Sequence, residues 1–217
     1  MKRIAMIGLL GLLPLVGVQA ADKDKAYAPK GAALLTCEGL TKITPNSPQS
    51  ALVVGWFDGY LTALNMVTPE TFDLAPWEDS ILLSSLVLNY CTNAVKAQEA
   101  GKTDNKRPIL VMDAVREVTS ALYAKRLTQK SEMVQIKEGD KQGMIYAETL
   151  KQVQTALKEQ GFFNGSADGK WGPKTRDAIK AFQKAAPKEA NLQETGLPER
   201  GTLMLLLQPF GSPAAKK

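Results

Sequence analysis

The sequence predicts an all-α fold in two units, four helices and then three. Three observations lead to this. Apolar residues recur at spacings of three and four along most of the chain, which is a helical period. Proline and glycine clusters punctuate those stretches at intervals suited to helix ends. An aperiodic stretch rich in charge, Gln and Gly, residues 128–144, separates the units and reads as a linker.

Along the chain, Lys2 and Arg3 precede an apolar run that ends in the small-x-small tripeptide Val18-Gln19-Ala20. This order of charged start, short apolar core and small-residue exit predicts a secretory signal peptide over residues 1–20. The run is shorter than the ~20 apolar residues a span needs and is interrupted by Gly8, Gly11, Pro14 and Gly17. No membrane span is therefore expected in the mature chain, and the location expected is periplasmic.

The first unit is expected over residues 31–127. "GAALLTCEGLTKI" is its first helix, with Leu34, Leu35, Gly39 and Leu40 near one face, and Pro45 and Pro48 ending it. In "PQSALVVGWFDGYLTALNMV" Pro48 suits a first turn, and Val53, Trp56, Phe57, Tyr60, Leu61 and Leu64 form a face. "TPETFDLAPWEDS" is a connector. "ILLSSLVLNYCTNAVKAQEAG" is the third helix, stopped by Gly101; after a loop and Pro108, "ILVMDAVREVTSALYAKRL" is the fourth. The second unit is expected over residues 145–208. Leu150, Val153, Gln154 and Leu157 align in its first helix; Pro173 starts the next, which buries Ala178, Ile179 and Phe182; a short helix closes "TGLPERGTLMLLL". Residues 209–217 read as a disordered tail.

Composition excludes several functions. The chain has no histidine, so Ser-His-Asp and Cys-His catalysis lose their base, and the common catalytic zinc sites lose their main ligand. The net charge is +5, of which Lys2 and Arg3 leave with the leader; so small an excess does not argue for nucleic acid. Cys37 and Cys91 are an even count in an exported chain and predict one disulfide. Closing a loop of about 54 residues is worth roughly 4 kcal/mol in the chain-entropy model. The other use of these residues, a catalytic thiol, lacks its usual base.

The C-terminal unit carries an ordered pattern: Gln154-x-x-Leu157, Gly161-Phe162-Phe163-x-Gly165, Asp168-Gly169-x-Trp171-Gly172-Pro173-x-Thr175, Ala178-Ile179-x-x-Phe182-Gln183, Thr195-Gly196-Leu197 and Thr202-Leu203. Over about residues 146–208 it strongly resembles the three-helix peptidoglycan-binding domain found on many bacterial cell-wall enzymes. That resemblance implies binding to peptidoglycan, with enzymatic activity normally supplied by another domain. The first unit, over residues 35–123, loosely resembles small single-bridge periplasmic helical families, namely acid-stress chaperones of the HdeA type and immunity-type domains. No functional residue carries over from them.

The candidate ligand-binding residues are Trp171, Arg176, Lys174, Lys170, Asp168 and Thr175. The loop before Pro173 is stiff, which lowers the entropy cost of binding. Lys170, Lys174 and Arg176 suit stem-peptide carboxylates. Trp171 has two readings, a face that stacks on a sugar or a half-buried cover for a small core. Asp168 and Thr175 favour turn chemistry over ligand contact. A calcium loop over Asn164, Ser166, Asp168 and Gly169 is rejected, because its twelfth position is Thr175 where Glu is needed. No metal and no cofactor is expected. In "GWFDGY", Trp56, Phe57 and Tyr60 read as core before interaction face. Asp58, Glu78 and Asp79 are the only carboxylates considered for glycan cleavage, and ordinary solvated acids explain them better.

The expectation is an exported, non-catalytic peptidoglycan-binding protein whose first unit contacts a periplasmic protein partner. Two alternatives stand beside it: a chaperone or immunity-like protein tethered to the wall, and a carboxylate-based wall hydrolase.

Overall fold

The computed structural model describes residues 24, 26–103 and 107–207. The leader over residues 1–20, the tail over 209–217 and part of the 101–107 loop lie outside the described residues.

The expected first helix is divided. Gly31–Leu34 form one 3-10 turn, and helix α1 runs only over Cys37–Thr41. The break lies at Leu35 and Thr36, both extended. Here the chain pairs with the segment leading into the fourth helix: Cys37 N–H donates to Ile109 O at 2.7 Å and Val111 N–H to Leu35 O at 2.8 Å. Thr36 then caps α1, its hydroxyl accepting from Gly39 N–H at 3.0 Å, so a favourable local cap reinforces the interruption. As a result Leu34 is exposed, against the expected face, while Leu40 is buried.

The next three helices have recognisable starts. Helix α2, Pro48–Val67, is capped by Ser47 and has Pro48 in its first turn. Helix α3, Ser80–Glu99, is capped by Asp79, which accepts from Leu82 N–H at 2.8 Å. Helix α4, Val111–Leu122, begins where Asp113 reaches back to Leu110 N–H at 3.1 Å. Their apolar faces enclose Val53, Phe57, Leu83, Val87, Val115 and Leu122 around the Cys37–Cys91 disulfide, whose two residues have no exposed surface. Phe57 lies in this core. Trp56 and Tyr60 pack on its edge with their rings stacked 5.3 Å apart.

The sheet departs from the all-α expectation. Residues 133–146 form an antiparallel hairpin of β1, Met133–Glu138, and β2, Lys141–Tyr146, which occupies most of the stretch 128–144 read as linker and runs two residues into the second unit. Its two-residue loop has Gly139 first, at φ +57°, where the hairpin twist favours glycine. One face, with Val134, Ile136 and Ile145, packs into the second core; the other exposes Met133 and Met144. Six-residue strands interrupted by Gln, Lys and Gly offer little strand propensity, so burial of that one face carries the hairpin.

Helices α5, Ala147–Glu159, α6, Pro173–Ala185, and α7, Arg200–Leu207, complete the chain. They bury Leu150, Val153, Leu157, Phe163, Ile179, Phe182 and Leu203 together with Ile136 and Ile145 of the hairpin. The two cores meet along a seam. Trp77, from the α2–α3 connector, packs against the second core. Asp79 pairs with Arg200 of α7, and Phe72 meets Tyr146 edge-on at 5.9 Å. Among the described residues no helix is long and apolar enough to cross a membrane.

Candidate functional site

The loop before α6 is built around one buried amide. Gln154 lies on the inner face of α5 and is 1 % exposed. Its Oε1 accepts from Gly169 N–H at 2.8 Å; its Nε2 lies 2.9 Å from Thr175 Oγ1, 3.0 Å from Lys170 O and 3.3 Å from Asp168 Oδ1. A single side chain thus satisfies a loop that passes close over α5, where unpaired backbone groups would be costly. Gly169 sits at φ +71°, and a Cβ there would run into the carbonyl of Ala147, so the loop seats only with glycine.

The same device recurs one helix later. Gln183 on α6 accepts from Gly196 N–H at 2.8 Å and donates to Leu197 O at 2.9 Å and Thr202 Oγ1 at 3.0 Å. Gly196 is at φ +73°, matching Gly169. The unit is therefore a twofold repeat of helix, glycine-pinned loop and helix start. Its signature, Gln…Gly-x5-Thr, is visible in both halves of the sequence, yet the roles of Gln154 and Gln183 emerge only from the folded geometry.

The sequence-predicted residues fall into two groups. Asp168 and Thr175 are held inside the Gln154 network. Thr175 is buried. Asp168 accepts from Lys170 N–H at 3.0 Å, and this bond, followed by that from Gln154, holds its carboxyl below the usual range. Trp171, Lys170, Lys174 and Arg176 lie toward the surface. Lys170 and Lys174 are exposed. Trp171 is half-buried against the second core, and its indole N–H donates to Lys137 O of β1 at 3.4 Å. Arg176 bonds Asp177 Oδ1 at 2.8 Å and reaches Glu138 of β1 at 3.4 Å, and both acids raise its pKa, Asp177 more. The hairpin thus becomes a wall of the site, which the linker reading did not anticipate.

The three acids weighed for glycan cleavage have different surroundings. Asp58 is exposed on α2. Asp79 caps α3 and pairs with Arg200; burial pushes its carboxyl up, but these bonds outweigh it and leave the pKa lowered. Glu78 lies buried in the seam, and desolvation, with a minor contribution from Asp73, raises its pKa to about 7. Among the described residues no group of three His, Cys, Asp or Glu is placed to hold a metal ion.

Residues 147–206 match the family described as putative peptidoglycan binding domain. The match runs from the start of α5 almost to the end of α7 and includes both glutamine networks. No curated protein and no solved structure matches the chain, so the likeness of residues 35–123 to small periplasmic families rests on its sequence pattern alone.

Proposed function

We propose that the protein is an exported, non-catalytic peptidoglycan-binding protein, with the wall gripped by the C-terminal module and a protein partner by the helical N-terminal one. The match of residues 147–206 to a peptidoglycan-binding family carries this reading. That family is a binding domain, and a wall-binding domain together with a disulfide points to an extracytoplasmic location. The leader-like residues 1–20 support export to the periplasm.

In this reading Trp171, Lys170, Lys174 and Arg176 present the contact surface, and Asp168 and Thr175 shape it. Gln154 keeps the loop rigid, so little entropy is lost on binding. Trp171 combines both roles considered for it: one part covers the core and one part stays open at the rim. The N-terminal module is read as the partner-binding unit because α2 exposes Leu52, Met66 and Val67 and carries only Asp58 as a charge. Co-sedimentation of the full chain with purified, insoluble peptidoglycan tests the proposal. The protein should pellet with the polymer and remain in solution without it; a chain that stays in the supernatant in both cases refutes wall binding.

A further inference from the structure

Beside the Arg176 rim lies a groove of about 520 Å³, within the size range of small-ligand clefts. Hairpin residues Ile136, Asp140, Lys141, Gln142 and Gly143 form one side, and Leu197–Pro198–Glu199 the other. The hairpin side lies outside the stretch that matches the family. Arg176 packs against Gly196, immediately before Leu197, so the groove continues the surface already assigned to the wall.

Its lining selects a class of ligand. The charges that cross it, Lys141 and Glu199, are already paired at 3.0 Å. Asp140 is exposed at the hairpin tip, where it repels carboxylates and accepts from hydroxyls. Gln142 is exposed and faces Lys137 across the ladder, one step beyond the pair that closes the loop. That position turns its backbone N–H and C=O to the outer edge of β2, where among the described residues no partner is recorded. Leu197 and Pro198 supply a buried apolar wall. Unpaired amide groups, an acid for hydroxyls and an apolar wall for a methyl suit a neutral acetamido sugar, not an anionic peptide.

Gly143 supplies an independent indication. Glycine in a strand interior weakens the strand and often marks a close approach. Here it has no need for a positive φ, and a built Cβ would meet only Ile136, at 3.6 Å, an ordinary contact. Nothing within the fold requires glycine at this position, yet any larger side chain would project into the groove.

We propose that the groove between β2 and Leu197–Glu199 is a subsite for the glycan strand of peptidoglycan, kept open by Gly143. The inference rests on the wall-binding reading and assigns a sugar to one part of that surface. The test uses the full chain, purified peptidoglycan, and a soluble β-1,4-linked tetramer of N-acetylglucosamine. The tetramer should shift the amide resonances of Gly143 and Leu197. Gly143→Val should keep the wild-type melting temperature and lose at least tenfold in affinity for both tetramer and polymer. Should Gly143→Val melt early, Asp140→Ala, at an exposed position, must weaken tetramer binding for the proposal to stand. Wild-type protein that pellets with the polymer but shows no shift at these amides would overturn the subsite and spare the wall-binding reading. A soluble stem peptide that displaces the tetramer from these amides would overturn the assignment to sugar. Failure to pellet at all would overturn both readings.

Discussion

In the first module the centre of the core is a covalent bond, Cys37–Cys91, joining two helices 54 residues apart among apolar side chains. In the second, two buried glutamines, Gln154 and Gln183, are each hydrogen-bonded to a loop. The bridge constrains the unfolded chain over a long loop and needs an oxidising compartment. The glutamines act in the folded state and fix particular backbone segments, which are the loops that lead into α6 and α7. The first module is thus braced at its core, and the second at the loops beside its exposed face. Rigidity in the second module lies at the loops beside the contact surface proposed for Trp171, Lys170, Lys174 and Arg176.

The largest expected effect tests the covalent half. Replacing Cys37 and Cys91 by Ser should destabilise the first module by about 2–5 kcal/mol, and the second, which holds no cysteine, should keep its own unfolding transition. A single transition falling as a whole in urea would show that the seam couples the modules more strongly than their separate cores suggest.

The polar half is tested by Gln154→Ala. It strands the Gly169 N–H and removes the partner of Thr175 and Lys170, at a cost of roughly 2–3 kcal/mol. Calorimetry should show the second module melting earlier with the oxidised first module unchanged. Gln183→Ala should act alike through Gly196. A negligible loss from either would mean that the loops are held by apolar packing alone.

Between the modules, Glu78 gives the comparison a pH dependence. Its folded pKa of about 7 lies above the ordinary 4.5, so the folded state holds the proton more tightly than the unfolded state. The associated stability is complete below about pH 4.5 and is lost as pH rises toward 7, an effect on the order of 1–3 kcal/mol. Glu78→Gln should flatten urea midpoints measured between pH 5 and 8 and stabilise the protein at the upper end. An unchanged slope would assign the pH dependence to other groups.

The smallest effects concern binding. Trp171→Ala should weaken retention on peptidoglycan by roughly 1–2 kcal/mol, the scale for truncating an aromatic contact. Arg176→Ala should cost less, because its guanidinium is already engaged by Asp177 and Glu138, and should reduce the salt dependence. Melting temperatures recorded beside these affinities separate lost contact from lost fold, since Trp171 also packs on the core.

The legible parts of the molecule were those governed by local rules. Pro48, Pro173 and the helical spacing of Val53, Phe57 and Leu61 give the helices of both modules, and the even count of two cysteines, in a chain read as exported, gives the bridge. The hairpin was less legible: Val134, Ile136 and Ile145 alternate, but Lys, Glu and Gln between them and Gly143 within them resemble a linker. The division at Leu35–Thr36 depends on pairing with Ile109 and Val111, which no local pattern announces. For the same reason the seam was hidden, since Asp79 and Arg200 are 121 residues apart. Of the predicted ligand residues, Lys170 and Lys174 lie at the surface as read. The burial of Thr175 and the attachment of Trp171 and Arg176 to β1 required the folded hairpin.

The central claim is that wall binding belongs to the glutamine-braced module and does not depend on the bridge. Co-sedimentation of the full-length Cys37→Ser/Cys91→Ser variant with purified peptidoglycan, beside the wild-type chain, tests this most directly. The account predicts that both pellet with equal affinity while only the variant has a destabilised first module. A wild type that pellets and a variant that does not, with its second module still folded, would contradict it.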